Sequence, residues 1–479
     1  MVAHRQVAAL KLSGPMRFCS DMLFGLYGGL WRAAVPLLAR HSRLRVDFGQ
    51  RLHPEKGPAA ALRNISCAPG QRPLRLWIQA ASAGEARLAC ALLSALERAA
   101  AAQPRFASRP LHVLACTCTR QGLDTLNGGE ESNGVRLLNA YMPLDHPDIM
   151  RAALRRAAPD AVVLLETELW PGQLRAAKQA GIPVLLLNAR MSEKSARLYS
   201  LTRFFWRSLA PERIAAVSED DARRFADLFG NPEKISVLPN IKFDLACPEP
   251  DRSSPCPRAA LLPAESGPVL LFASVREEEE KILLPLLKSL YDREIQGQRA
   301  VLIIAPRHMH RIVAWEEGLR AAGLPVLRLS RRKEDGSPAG RPVFLLDSFG
   351  ALQSLYGDVD AAFVGGSLAP LGGQNFLEAA GAGVTTLVGP HLDNFRWVGE
   401  DVFSAGLVRR VSNAGELRDA LLAVLAERAA DIFRSDRVCS VAEARAAAAA
   451  GKRARFRALI DPKLGGTLRA AQFVVENLQ

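Results

Sequence analysis

Cysteine is scarce in this chain of 479 residues: eight in all, at 19, 67, 90, 116, 118, 247, 256 and 439, with no zinc-finger spacing. That scatter suggests a reducing cytoplasm. Cys116 and Cys118 fall on one face of a predicted strand, HVLACTCT, but with no further Cys or His ligand nearby a CxC reads as two small packing residues. Long apolar runs are missing too. Met22–Trp31 is bracketed by Asp21 and Arg32 after ten uncharged residues, short of the roughly 18 needed to span a bilayer. No cleavable signal peptide is evident, although Arg5 and Lys11 precede that run. Aromatic residues are few and mostly Phe (19 against 5 Tyr), so the basic-aromatic interleaving of a single-strand binder is weak. Arg is spread along the chain rather than gathered in one arm, and no repeat array is visible.

What is present is a globular composition, 49% hydrophobic and 23% charged, with a net charge of +13 and a pI near 9.7. The length predicts two domains. The basic balance points to an acidic partner, and without nucleic-acid motifs an anionic ligand or membrane surface fits best. Helical continuation through Ala33–Ala39 makes an apolar segment flanked by Arg40, Arg43 and Arg45, suited to lying among anionic headgroups. A helix packed on its own domain is the alternative.

After a loop-rich stretch, His53–Arg75, apolar strands alternate with amphipathic helices: LRLWIQAAS, LHVLAC, AVVLLE, PVLLLN and IAAVS. The alternation restarts with PVLLFAS, AVLIIAP, PVLRL, PVFLLD, AAFVGG and TTLVGP. This predicts two parallel, doubly covered sheets. Cys247–Pro268, with six prolines, reads as a linker between them. The expected division is 1–50 as an N-terminal helical segment, 51–246 and 269–479 as the two domains, and 247–268 as the linker. Arg331–Arg341 is a polar loop without evident chemistry, and Ala446–Ala450 reflects helix propensity alone.

The richest segment is Phe363–Phe395. An apolar run ends in Gly365-Gly366, and Gly372-Gly373 leads into a helix expected to begin near Asn375. Glycines allow close backbone approach, and a helix N-terminus offers free N–H groups to phosphate. Asn375 and Glu378, three apart, share one face, where a carboxylate can take hydrogen bonds from a ribose diol. A buried turn with a dipole-favoured Glu is the plain alternative. Glu85 follows strand LRLWIQA and Ala81-Ser82-Ala83-Gly84, at a helix start where it could serve as general base or serve only the helix dipole. Glu166 and Glu168, in ETELWP, would point the same way if extended; a hydrolytic pair needs one raised pKa, and salt-bridged turn carboxylates are the alternative. Arg307, after strand AVLIIA, and Lys242, in Asn240–Asp244, suit a nucleotide phosphate and a sugar carboxylate. Ser274 adds a hydroxyl, the acidic run Glu277–Glu280 opens the next helix, and His308 with His310 lacks carboxylate companions for a metal.

Taken together, these blocks resemble the 3-deoxy-D-manno-octulosonic acid (Kdo) transferase family: Ala80–Glu85, Tyr141–Pro147, Glu166–Pro171, Asn188–Ser195, Asn240–Asp244, Pro306–His308, Phe363–Leu368 and Gly372–Glu378. The resemblance runs from about Phe24 to Phe395 and more weakly beyond. It implies a GT-B fold, an α/β architecture of two Rossmann-like domains facing across a cleft, with an N-terminal membrane-associated helix. It also implies inverting transfer of Kdo from CMP-Kdo to a lipid A precursor (lipid IVA) at the cytoplasmic face of the inner membrane. No metal and no cofactor beyond the donor are implied. Glu85 matches the family's catalytic base. Arg307, Asn375 and Glu378 match positions that hold CMP, with His308, Ser274, Gly365, Gly366 and Gly373 beside them and Lys242 as a phosphate or carboxylate contact. Backbone amides after the two glycine pairs would stabilise the leaving phosphate.

Three positions depart from the pattern. Gln374 stands for the usual His. Ser274–Glu279 replaces Ser-Thr-x-x-Gly-Glu, losing a hydroxyl at Val275 and a glycine at Glu278. Asp347–Leu352 loses a carboxylate at Ala351. All lie in the nucleotide half. They leave open a GT-B transferase of another activated sugar, or a catalytically silent membrane-associated binding protein.

Overall fold

The computed structural model describes residues 14–40, 47–65, 67, 71–129, 134–247, 267–295, 297, 299–331, 341–348, 351–434 and 441–478. Arg5, Lys11, Arg43, Arg45, Gly350, Cys256, Cys439 and most of the segments 247–268 and 331–341 lie outside the described residues.

Two compact units emerge, one of residues 1–245 with 464–479 and one of residues 246–463. Each is built on a seven-stranded, all-parallel sheet among the described residues. The first contains β1 (Leu74–Gln79), β2 (Leu111–Thr117), β3 (Val135–Tyr141), β4 (Ala161–Leu165), β5 (Val184–Ala189), β6 (Arg213–Ala216) and β7 (Ile235–Val237), in the order β3-β2-β1-β4-β5-β6-β7. The second contains β8 (Val269–Val275), β9 (Val301–Pro306), β10 (Val326–Arg328), β11 (Val343–Leu345), β12 (Ala361–Val364), β13 (Thr385–Val388) and β14 (Val408–Arg410), in the order β10-β11-β9-β8-β12-β13-β14. Two such Rossmann-like units make a GT-B-like plan.

The apolar runs become central strands because helices cover both sheet faces. On β1, Leu76 and Ile78 pack in one cluster with helix Ala83–Ala101 and the C-terminal helix Gly466–Glu476. Trp77, on the opposite face, packs with helices Pro58–Asn64, Pro147–Ala157 and Pro171–Ala180. β3, β7 and β14, which hydropathy did not reveal, are edge strands of mixed burial. An edge strand is not enclosed on all sides, so it needs no continuous apolar run.

The topology also fixes where ligands can bind. In the first sheet the chain goes from β1 outward to β2 and β3, then crosses to β4 on the other side of β1. The second sheet reverses in the same way between β8 and β12. Loops leaving the carboxyl ends of strands at such a reversal diverge and leave a crevice. Glu85 and Glu166 follow β1 and β4; Ser274 and Gly365 come at the ends of β8 and β12.

Two boundaries differ from the sequence reading. The last helix, Gly466–Glu476, is expected in the second domain but packs on Ala83–Ala101 of the first unit. Its start is held by Asp244, whose carboxylate accepts from the amides of Gly465 (2.8 Å) and Thr467 (2.7 Å); periodicity cannot report that long-range cap. The N-terminal segment forms helix Gly14–Leu38. Ser20, Phe24 and Tyr27 face the first unit, with Phe24 stacked on Phe205 and Ser20 bonded to Ser208. Phe18, Met22, Leu26, Leu30 and Leu37 remain exposed. No helix of the described residues is long and apolar enough to cross a membrane.

Candidate functional site

In the first unit, Ser82 and Glu85 form a capping box at the start of Ala83–Ala101. The Ser82 amide donates to Glu85 Oε2 at 2.8 Å, the Glu85 amide donates to Ser82 Oγ at 3.4 Å, and the Ser82 hydroxyl also meets Glu85 Oε2. Glu85 is thus a capping residue whose carboxylate stays beside the strand end. Burial, and then the charge of Glu166, raise its pKa, while the amide bonds and Lys242 pull it back. A carboxylate held half-buried and above its ordinary pKa is a stronger proton acceptor once ionised.

The turn after β4 is not extended. Glu166 has φ 61°, and the two carboxylates of ETELWP diverge. Glu166 is buried between two cations, with Lys242 Nζ 2.5 Å from Oε1 and Arg190 2.9 Å from Oε2. Glu168 instead accepts from the Trp170 indole at 2.5 Å. Burial, with the charges of Glu85 and Glu166 adding to it, pushes Glu168 up to about 7. Thus one member of the pair is a salt-bridged turn carboxylate and the other is poised near neutrality.

The remaining blocks of this unit are scaffolding for that turn. Asp145 is buried and accepts from the amides of Gly172 and Gln173 and from the Tyr27 hydroxyl, each at 2.7 Å. It thereby caps helix Pro171–Ala180. Asn188, at φ 51°, accepts from the Ile241 amide at 2.9 Å and so orients the helix Ile241–Ala246 that carries Lys242. Arg190 is a functional neighbour that the sequence does not single out; its signal is its place in the Asn188–Ser195 block. Cys116 is buried with its thiol pKa pushed up by desolvation, and Cys118 is pushed up to about 12 for the same reason. Among the described residues no group of three or more His, Cys, Asp or Glu is arranged to hold a metal ion.

In the second unit, Asn375 and Glu378 pair, and the charge of Arg307 acts on Glu378. Asn375 Nδ2 donates to Glu378 Oε1 at 2.7 Å and to the Ala246 carbonyl at 3.0 Å. Burial raises the pKa of Glu378, and the Asn375 bond and the Arg307 charge lower it in part. The helix begins at Leu377, later than expected, and is only five residues long; Asn375 accepts from the Leu377 amide at 3.2 Å and precedes it. Ser274, one residue before the end of β8, is in a left-handed conformation, φ 52°. His308 and His310 stack with centroids 5.4 Å apart on an exposed turn. Partial desolvation, then the Arg276, Arg307 and His310 charges, hold His308 below its usual pKa.

Lys242, expected as a phosphate or carboxylate contact, lies in the first unit with Nζ 2.5 Å from the buried Glu166. One expectation fails here. The amides after the glycine pairs are expected to hold phosphate, but an internal carboxylate already occupies them. Glu279, fully buried, accepts from Gly366 (2.7 Å), Ser367 (3.0 Å), Leu368 (3.0 Å) and Arg276 (3.1 Å). The Gly373 and Gln374 amides are spent on the carbonyls of Gly366 and Gly365. Gly365 is required here: a Cβ would stand 2.6 Å from Val275 Cα and 2.8 Å from Glu279 Oε2. Glu279 is thus a structural key that sequence reasoning misses. Its signal is retention of the final Glu of the Ser274–Glu279 block, where two other positions have changed.

The chain has relatives among known proteins. A family model described as 3-deoxy-D-manno-octulosonic-acid transferase (kdotransferase) matches residues 45–245. A 3-deoxy-D-manno-octulosonic acid transferase of Bordetella pertussis is 33% identical, over 85% of this chain and 92% of its own length. One from Haemophilus influenzae is 28% identical over 69% of this chain and 74% of its own. Among solved structures, the C-terminal CMP-Kdo binding domain of WaaA from Acinetobacter baumannii is 29% identical, covering 39% of this chain and 90% of that domain, with a TM-score of 0.32.

Proposed function

This chain belongs to the Kdo transferase family, and from that premise we propose that it moves Kdo from CMP-Kdo to a lipid A precursor with inversion, without a metal. The observation that carries this is Glu85 itself: a half-buried carboxylate of raised pKa at the carboxyl end of β1, beside the reversal of the first sheet. In this reading Glu85 takes the proton from an acceptor sugar hydroxyl. That oxygen attacks the anomeric carbon from the face opposite the phosphate, the anomeric carbon–oxygen bond to CMP breaks, and CMP leaves with the electron pair. Arg307 meets the departing anion, and Glu378, oriented by Asn375, takes the ribose hydroxyls. Lys242 tunes Glu85 from within the first unit by neutralising Glu166.

The acceptor reading is supported by the first unit's N-terminal helix, whose outward stripe of Phe18, Met22, Leu26, Leu30 and Leu37 suits the interfacial layer of an anionic bilayer. In this reading the enzyme works at the cytoplasmic face of the inner membrane. A second reading, transfer of another activated sugar on the same fold, draws on Glu278. It puts a carboxylate 3.6 Å from Arg276 where the family pattern has glycine.

The deciding experiment is transfer from CMP-Kdo, generated in situ, to lipid IVA by purified protein, wild type beside Glu85→Gln. Gln preserves the capping box, so the variant is expected to fold while losing at least about 100-fold in rate, the lower range for a lost general base. Wild type that binds CMP without making product would redirect the reading to another donor sugar or acceptor. Wild type that does neither would leave the silent binding protein.

A further inference from the structure

The nucleotide unit has an anion-binding problem. Its donor, in the reading above, carries two negative groups, a phosphodiester and a sugar carboxylate. Yet the amides of Gly366, Ser367 and Leu368, which could have met one of them, are filled by Glu279. A second carboxylate in that nest would meet like charge, so the ligand's charge falls to cationic side chains nearby. Arg307 is one.

The other is at the end of the adjacent strand. Val275 of β8 and Pro306 of β9 are register partners, and the Arg307 amide donates to the Val275 carbonyl at 2.9 Å. Arg276 and Arg307 therefore leave neighbouring strand ends one residue past the same register pair, and His308 feels both charges. Arg276 is only partly satisfied. Among the described residues its Nε is buried without a hydrogen-bond partner, and its ion pair is with Glu278, 3.6 Å away and half-exposed. An arginine side chain about three-quarters buried, with its Nε–H unpaired and a weak surface partner, is prepared to accept a better anion. Glu278 then becomes the resident counter-charge that the ligand displaces.

We propose that Arg276 is a second donor-binding side chain, paired with Arg307 at the β8 and β9 ends, that takes one of the two anionic groups of the sugar nucleotide. The inference rests on the donor reading above. It makes Arg276 a specificity residue, because an uncharged sugar on the nucleotide leaves one guanidinium without a partner.

The test measures CMP and cytidine binding by calorimetry and KM for CMP-Kdo in the transfer assay, for wild type, Arg276→Gln, Arg276→Lys and Glu278→Gln. If Arg276 meets the phosphate, Arg276→Gln weakens CMP binding roughly tenfold. If it meets the sugar carboxylate, CMP binding stays and KM for CMP-Kdo rises by a similar factor. Either supports the proposal, with Lys recovering part of the loss and cytidine binding unchanged. Glu278→Gln should act in the opposite direction and tighten the anionic ligand. The backbone amide of Arg276, which Glu279 needs, survives every substitution at this position. Unchanged CMP binding and KM in Arg276→Gln would overturn the proposal, as would equal weakening of cytidine or the same direction of change in both Gln variants. Wild type that neither binds CMP nor transfers Kdo would instead remove the functional reading, and this inference with it.

Discussion

Glu279→Gln is the substitution that most directly challenges the structure of the nucleotide unit. The side chains have nearly the same shape, so the change isolates charge and hydrogen-bond capacity. Glu279 Oε1 accepts from the Ser367 and Leu368 amides, and Oε2 from Gly366 and Arg276. A glutamine can turn its carbonyl toward only one of these pairs. Its NH2 then faces two backbone donors, one in a buried bond and one in a part-buried bond, with no other acceptor among the described residues. Each orphaned N–H costs about 1–3 kcal/mol, so the variant should be destabilised by about 2–6 kcal/mol. For a unit of about 200 residues, each kcal/mol moves the melting midpoint by roughly 2–4 °C, and the expected loss is at least about 4 °C. Scanning calorimetry is the suitable assay, because two units need not melt as one and their transitions can be followed separately. CMP binding should fall in parallel as the Gly365–Leu368 loop loosens. A melting profile indistinguishable from wild type would refute the argument that this carboxylate holds the loop.

Three further outcomes are expected. The rate at limiting acceptor should rise with pH through the raised Glu85 pKa, since only the ionised carboxylate accepts a proton; Lys242→Met removes a charge that lowers this pKa, so the inflection should move to higher pH, and a downward move in the pH–rate profile would contradict the assignment. Burial pushes Asp145 up to about 7 from an ordinary 3.8; the folded state's preference for the protonated carboxyl is fully present below about 4 and is lost as pH climbs through about 7. Because the Tyr27 hydroxyl bonds the ionised form, Tyr27→Phe should cost about 1–3 kcal/mol at pH 8 and less at pH 5, measured by urea unfolding at both. Replacing both Leu26 and Leu30 with Glu should abolish co-sedimentation with phosphatidylglycerol vesicles while CMP binding persists, and unaltered sedimentation would remove the helix stripe as the docking surface.

Most central strands are legible in the sequence because an apolar run of five or six residues between amphipathic helices has few other uses than a covered parallel strand. The strand-end placement of Glu85, Ser274, Arg307 and Gly365 follows from the same pattern. So does the family resemblance, which rests on short blocks whose order survives even where single positions change. A capping box is local by definition, which is why the three-residue spacing of Ser82 and Glu85 is enough to pair them.

Contacts between distant residues cannot be read in this way. Nothing in the chain near Lys242 announces that Glu166 will claim it, and nothing near Gly366 shows that its amides are taken by a carboxylate 87 residues earlier. The divergence of Glu166 and Glu168 depends on a left-handed backbone at Glu166, which only the packed turn can impose on a non-glycine residue. Even the unit to which the last helix belongs is decided by Asp244 and the face of Ala83–Ala101. The sequence by itself determined the repeating strand–helix pattern and which residues stand at strand ends, because these depend on periodicity and neighbours. Tertiary structure alone decided which charges meet, since a carboxylate's partner is set by distance in space and by the cost of leaving it buried without one.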